Sequence, residues 1–181
     1  MPSPGLLIAN RGEIAVRIAR TAAEVGLRTV AVHGADDAGS LHVRRADAAA
    51  ILPGTGAAAY LDVDAVVDAA STNDCHLLHP GYGFLSERAE LAEACERVGV
   101  TFVGPTAETL RRFGDKSAAR ALAVELDVPL LPGTSGPTTL DEAAALLAAL
   151  GPDGALMVKA LAGGGGRGLR VDRSLDALAA A

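Results

Sequence analysis

Between residues 6 and 104, short apolar runs alternate with segments of helical period, and this alternation narrows the fold more than any other feature. LLIAN (6–10) reads as a strand. After RGE comes a helix that places Ile14, Ile18, Ala22 and Val25 on one face, with Arg17, Arg20 and Glu24 elsewhere, and Gly26 closes it. TVAVH (29–33) is the next strand; a polar loop through Asp36, Asp37 and Gly39 leads to AAAIL (48–52), a third. VDAVVDAA (63–70) is helical, HLLH (76–79) a buried strand, ELAEACERV (90–98) a helix and TFVG (101–104) a strand. Strands and helices of these lengths in alternation predict βαβ units and a mostly parallel sheet, an α/β fold.

The regular alternation ends near Gly114. Beyond it the sequence predicts a helix from about Lys116 to Leu126, a proline-rich loop VPLLPGTSGP (128–137) and a helix DEAAALLAAL (141–150). ALMVKAL (155–161) and GLRV (168–171) are strands, and LDALAAA has the pattern of a helix opening. Two domains are expected, 1–114 and 115–181. With about 67 residues, the second reads as the start of a domain, and the chain as the N-terminal part of something longer. No internal repeat of solenoid period is present.

Composition removes several classes of function. Hydrophobic residues make up 50% and charged residues 21%, as in folded globular proteins. The net charge of −6 supplies no basic field for nucleic acid or anionic lipid. Cys75 and Cys95 have neither metal-ligand nor disulfide-framework spacing and read as small buried residues. The N-terminus MPSPGLLIAN lacks the basic and long apolar regions of a signal peptide, and no apolar run reaches the length of a membrane span, so a cytoplasmic protein is expected.

Four segments carry chemistry. In ALMVKALAGGGGRGLRV (155–171), Gly163, Gly164, Gly165 and Gly166 stand between two strands, with Lys159 on the incoming one. Four glycines are costly to order, and their value is that backbone N–H groups can approach phosphate oxygens unhindered by a Cβ. A P-loop or a dinucleotide fingerprint would open into a helix, whereas GRGLRVD continues as strand. The pattern is a strand–loop–strand flap able to close over a nucleotide. In FGDKSAAR (113–120), Asp115 is a helix N-cap, and Lys116 in the first turn opposes the helix dipole, which hints at an anion nearby. HLLHPGYGFLSE (76–87) places a tight turn at a strand's C-terminal end, where ligands gather in open α/β sheets. Pro80 prevents a helical pairing of His76 with His79, so no metal site is expected, and His79 reads as a hydrogen-bonded turn residue. IANRGEIA (8–15) carries one glycine where a dinucleotide-binding domain carries three, and Arg11 is expected to pair locally with Glu13.

Together IANRGEIAVRI (8–18), HPGYGFLSE (79–87), FVGP (102–105), GDK (114–116), VPLLPG (128–133) and VKALAGGGGRGLRV (158–171) closely resemble the biotin carboxylases of the ATP-grasp superfamily, from about residue 5 to about 173. The family includes the biotin carboxylase of acetyl-CoA carboxylase and the homologous parts of propionyl-CoA, methylcrotonyl-CoA, pyruvate and urea carboxylases. The resemblance implies a Rossmann-like (pre-ATP-grasp) domain followed by the beginning of an ATP-grasp domain. It implies that ATP phosphorylates bicarbonate, and that biotin on a biotin carboxyl carrier protein is then carboxylated, as in the first half-reaction of acetyl-CoA carboxylase and fatty acid biosynthesis. Lys116, Lys159 and Gly163 to Gly166 match residues at the nucleotide, and Tyr82 and Gly83 match the turn facing the biotin pocket. The implied partners are the carrier protein, a carboxyltransferase that chooses the final acceptor, and a second copy in a homodimer. The Mg2+ ligands and all catalytic residues are expected outside these 181 residues, so the chain by itself is expected to be inactive. Two positions depart from the family pattern: Arg88 where Asn usually follows LSE, and ADA (46–48) for an ADE-type stretch. The competing readings are an ATP-grasp ligase of carbamoyl-phosphate synthase type, against which HPGYGFLSE argues, and a non-catalytic assembly module.

Overall fold

The apolar run GLLI forms the innermost strand, β1 (Gly5–Ile8), buried along its whole length. The computed structural model describes residues 3–160 and 168–179, which divide into two units, Met1–Gly114 and Asp115–Ala181. In the first unit β1 is followed by α1 (Gly12–Glu24), β2 (Arg28–His33), α2 (Leu41–Arg45), β3 (Ala48–Ile51), α3 (Gly56–Ala59) and α4 (Val63–Thr72). Next come β4 (Cys75–His79), α5 (Ala89–Arg97), β5 (Thr101–Phe102) and α6 (Ala107–Gly114). The five strands form one parallel sheet in the order β3-β2-β1-β4-β5. The order reverses between β1 and β4, which makes the C-terminal ends of these two strands the switch point of the sheet.

Alternate residues of β1 serve opposite faces. Leu7 joins Val30, Val32 and Leu78 in a core closed by Val66 and Ala70 of α4 and by Leu91 and Cys95 of α5. Leu6 and Ile8 pack with Ala15, Ala19 and Ala22 of α1. The buried stripe of α1 is therefore alanine; of the face predicted from its periodicity, Ala22 is buried, Ile18 packs partly against the stripe and Val25 is exposed. Methyl side chains let the helix axis approach the sheet closely, which leaves Ile14 and Ile18 half-buried at the flanks. Val25 is the C-cap and 67% exposed, because the helix ends there in a Schellman motif. Gly26 N–H donates to Ala23 and Leu27 N–H to Ala22. Cys75 and Cys95 are buried, as their sequence context predicts, and burial pushes the Cys95 thiol up to about 11.

Arg88 is the N-cap of α5 and offers no side-chain bond to its free N–H groups, pairing instead with exposed Glu90 at 3.0 Å. Arg88→Asn is expected to stabilise the protein by about 1 kcal/mol, a rise of a few degrees in melting temperature, by supplying the missing cap. A thermal melt of the variant beside the parent checks this.

The second unit holds α7 (Lys116–Glu125), α8 (Leu140–Ala149), β6 (Leu156–Lys159), β7 (Leu169–Asp172) and α9 (Leu175–Ala179). Asp115 caps α7, accepting from the N–H groups of Ser117 and Ala118 at 2.8 and 3.0 Å. Thr139 and Glu142 form a capping box on α8. Arg120 donates to the carbonyls of Leu131 and Gly133, tying the proline-rich loop to α7. The two strands pair antiparallel from Leu156↔Asp172 to Lys159↔Leu169, and Ala160 N–H adds a bond of 2.8 Å to Gly168. Among the described residues, no helix is long and apolar enough to cross a membrane.

Candidate functional site

At the switch point two chain segments leave the sheet side by side. One is Ala9–Asn10–Arg11 beyond β1; the other is the Pro80–Gly83 turn beyond β4. Ala9 N–H donates to the His79 carbonyl at 2.9 Å, which carries the β1–β4 pairing one residue past the strands. Asn10 is fully buried. Its Nδ2 donates to the carbonyls of Pro80 (2.7 Å) and Tyr82 (2.9 Å), and its Oδ1 accepts from Arg11 N–H at 2.9 Å. Gly81 and Gly83 have φ of 67° and 71°, which the turn needs in order to double back. Phe84 follows with φ of 46°, a strained value for a bulky residue. The turn presents the Tyr82 ring outward, 66% exposed.

Gly81 N–H donates to His79 Nδ1 at 3.0 Å, so the neutral ring carries its proton on Nε2. His79 is thus the hydrogen-bonded turn residue that the sequence predicts. Among the described residues no group of three His, Cys, Asp or Glu side chains could hold a metal ion.

A second network braces the same corner. Arg11 does not pair with Glu13; its Nε meets Asp37 Oδ2 at 2.9 Å, across to the loop after β2. Arg11 is the extended residue preceding α1, whereas Glu13 lies in the first turn, where its charge complements the helix N-terminus. Tyr60 donates its hydroxyl to Asp37 at 2.8 Å, and Ser40 donates to the other carboxylate oxygen. The Arg11 guanidinium sits 5.6 Å from the Tyr60 ring centroid, and that ring packs on Phe84 with centroids 5.3 Å apart. Burial alone would raise the Asp37 carboxyl, but the hydrogen bonds from Ser40 and Tyr60 and the Arg11 charge outweigh it and hold it below the usual range. Burial and the Asp37 carboxylate together push the Tyr60 hydroxyl up to about 12.

Beneath this network His42 is 1% exposed, with Nε2 3.2 Å from the Val32 carbonyl; that nitrogen carries the proton. Burial lowers the proton affinity of both His42 and His79 below the ordinary value of 6.5. The unfolded chain then binds more protons than the folded one just below that pH. Stability is therefore full above 6.5 and falls as pH drops toward the lowered folded values. The melting temperature is expected to hold near pH 7.5 and fall by about pH 5.5. A rise on acidification over that interval would contradict the burial of two neutral imidazoles.

In the second unit Lys116 is the first residue of α7 and Lys159 is exposed at the end of β6. Gly163, Gly164, Gly165 and Gly166 lie outside the described residues. Tyr82 and Gly83 belong to the first unit, Lys116 and Lys159 to the second.

Asn10, Asp37 and Tyr60 are the site residues that sequence reasoning passed over. A polar Asn directly after an apolar parallel strand was the one available signal for Asn10. Asp37 and Tyr60 meet through contacts that no local pattern encodes.

Comparison with known proteins places these features in context. Residues 3–110 match the family model "Biotin carboxylase, N-terminal domain", and residues 115–181 match "Carbamoyl-phosphate synthase L chain, ATP binding domain". Human mitochondrial pyruvate carboxylase is 45% identical over 98% of this chain and 15% of its own length; Pseudomonas aeruginosa biotin carboxylase is 46% identical over 92% and 37%. Among solved structures, the biotin carboxylase domain of a single-chain bacterial carboxylase is 52% identical with a TM-score of 0.87, covering 98% of this chain and 39% of that one. The biotin carboxylase domain dimer of Hydrogenobacter thermophilus 2-oxoglutarate carboxylase, in complex with MgADP, ADP and bicarbonate, is 36% identical with a TM-score of 0.89, over 99% and 40%. The chain thus spans less than half the length of these relatives. A five-stranded parallel sheet whose switch point carries the HPGYG turn, matched over most of its residues by one family model, identifies this chain as a member of the biotin carboxylase family of ATP-dependent carboxylase ligases.

Proposed function

We propose that this chain is the N-terminal part of an enzyme that uses ATP and bicarbonate to carboxylate biotin on a carrier protein. The observation that carries the reading is the Pro80–Gly83 turn, anchored at the switch point with an exposed aromatic ring, where open α/β sheets bind their ligands. Tyr82 and Gly83 face the biotin ring system in this reading. Lys116 and Lys159 hold the nucleotide phosphates in this reading, and the glycines 163–166 close over them. Closing such a lid excludes water from an activated bicarbonate that would otherwise hydrolyse. The domains are 1–114, pre-ATP-grasp, and 115–181, the opening of the ATP-grasp domain.

The residues described fit the groups the reaction needs. A cationic side chain stands at the mouth of a hairpin, a second stands on the first turn of a capped helix, and a flat ring is open to ligand. In this reading the magnesium ligands and the catalytic groups are supplied by the rest of the enzyme. The second matched model bears the name of carbamoyl-phosphate synthase but covers only residues 115–181; the first unit separates the two families. Pyruvate carboxylase and biotin carboxylase relatives match equally well, at 45% and 46%, and favour neither acyl-CoA nor another acceptor; in this reading a carboxyltransferase partner makes that choice. We place the enzyme in the cytoplasm as a homodimer. The test is ADP release by the full-length protein, which is expected to depend on bicarbonate; release indifferent to bicarbonate would exclude the reading.

A further inference from the structure

We propose that Asn10 is the positioning residue that sets the biotin-facing turn, an inference that rests on the function proposed for Tyr82 and Gly83. Its side chain makes three hydrogen bonds, all to two chain corners some 70 residues apart. Both Nδ2 protons go to carbonyls of the turn, Pro80 at 2.7 Å and Tyr82 at 2.9 Å, and Oδ1 takes Arg11 N–H at 2.9 Å. A fully buried amide is tolerated when its partners are all present, and here every partner is a backbone group of these corners.

The grip decides which way the turn's peptides face. In a trans peptide the N–H points opposite to the C=O. With the Tyr82 carbonyl drawn inward to Asn10, the Gly83 N–H points away from Asn10. The residue between the two gripped carbonyls is held just as closely. A Cβ on Gly81 would lie 2.6 Å from Asn10 Nδ2 and 2.7 Å from Ile14 Cγ2, and Gly81 N–H is already committed to His79. Asn10 thus fixes the Pro80–Gly81 and Tyr82–Gly83 peptides from a fully buried position.

The test uses the full-length carboxylase with free biotin as the probe. Asn10→Asp keeps the shape and the acceptor for Arg11 but loses both donors; Asn10→Leu keeps the shape and loses all three bonds. Both are expected to raise the KM for biotin by about 10-fold or more, while kcat at saturating biotin and the KM for ATP move by less than about 3-fold. A merely structural residue would shift the kinetic constants for both substrates together. An unchanged biotin KM, a parallel loss in the ATP and biotin constants, or loss of cooperative melting in both variants would overturn the assignment. A parent enzyme that does not respond to biotin at all would instead sink the functional reading beneath it.

Discussion

Gly81→Ala in the full-length protein is expected to cost about 2–5 kcal/mol of stability, the largest effect of any single methyl group at the candidate site. Two independent penalties add. The backbone at Gly81 has φ of 67°, and an L-residue held in that left-handed region loses roughly 1–2 kcal/mol. The new Cβ would also stand 2.6 Å from Asn10 Nδ2 and 2.7 Å from Ile14 Cγ2, and overpacking of this kind costs roughly another 1–3 kcal/mol. Asn10 cannot yield freely, because its amide is tied to three backbone groups. The melting temperature is expected to fall by roughly 4–20 °C. Gly39→Ala is the control: nothing lies within 4 Å of a Cβ there, and its melting temperature is expected to stay within a degree or two of the parent. Equal behaviour of the two variants would mean that the turn is not braced as described.

Lys159→Gln is expected to weaken nucleotide binding by roughly 1.5–3 kcal/mol, about a 10- to 150-fold rise in the KM for ATP. In the proposed site the ammonium supplies a charge-assisted bond to a phosphate oxygen, and glutamine retains length and polarity while removing the charge. Because Lys159 is exposed at the last position of β6, its loss leaves the β6–β7 ladder intact, and the melting temperature is expected to hold. Binding isotherms and melts on the same preparations separate the two effects. Normal nucleotide affinity would remove Lys159 from the phosphate site.

The parallel sheet was legible because strands buried on both faces read as short apolar runs, and because Gly26 and Asp115 mark helix ends by their own local chemistry. The packing of α1 was not legible. A periodicity search favours large apolar residues, yet the helix meets the sheet through Ala15, Ala19 and Ala22, where small size permits close approach. Helix α6, AETLRRFG, escaped notice because it buries no residue and is tied to α5 by the Arg111–Glu93 ion pair. At the site, the turn with Tyr82 and Gly83 stood out through its glycines and proline. Its support did not: Asn10 reaches across 70 residues to Pro80 and 72 to Tyr82, and Arg11 pairs not with nearby Glu13 but with Asp37, on the loop after β2.

Transfer of label from radiolabelled bicarbonate to free biotin by the full-length protein tests the proposed reaction most directly. Labelled carboxybiotin is expected to form only when ATP, magnesium and bicarbonate are all present, and to be reduced by Lys159→Gln at subsaturating ATP. ATP cleavage with no label reaching biotin, in an enzyme whose melt shows it to be folded, would contradict the proposal that the Tyr82–Gly83 turn serves a biotin-carboxylating site.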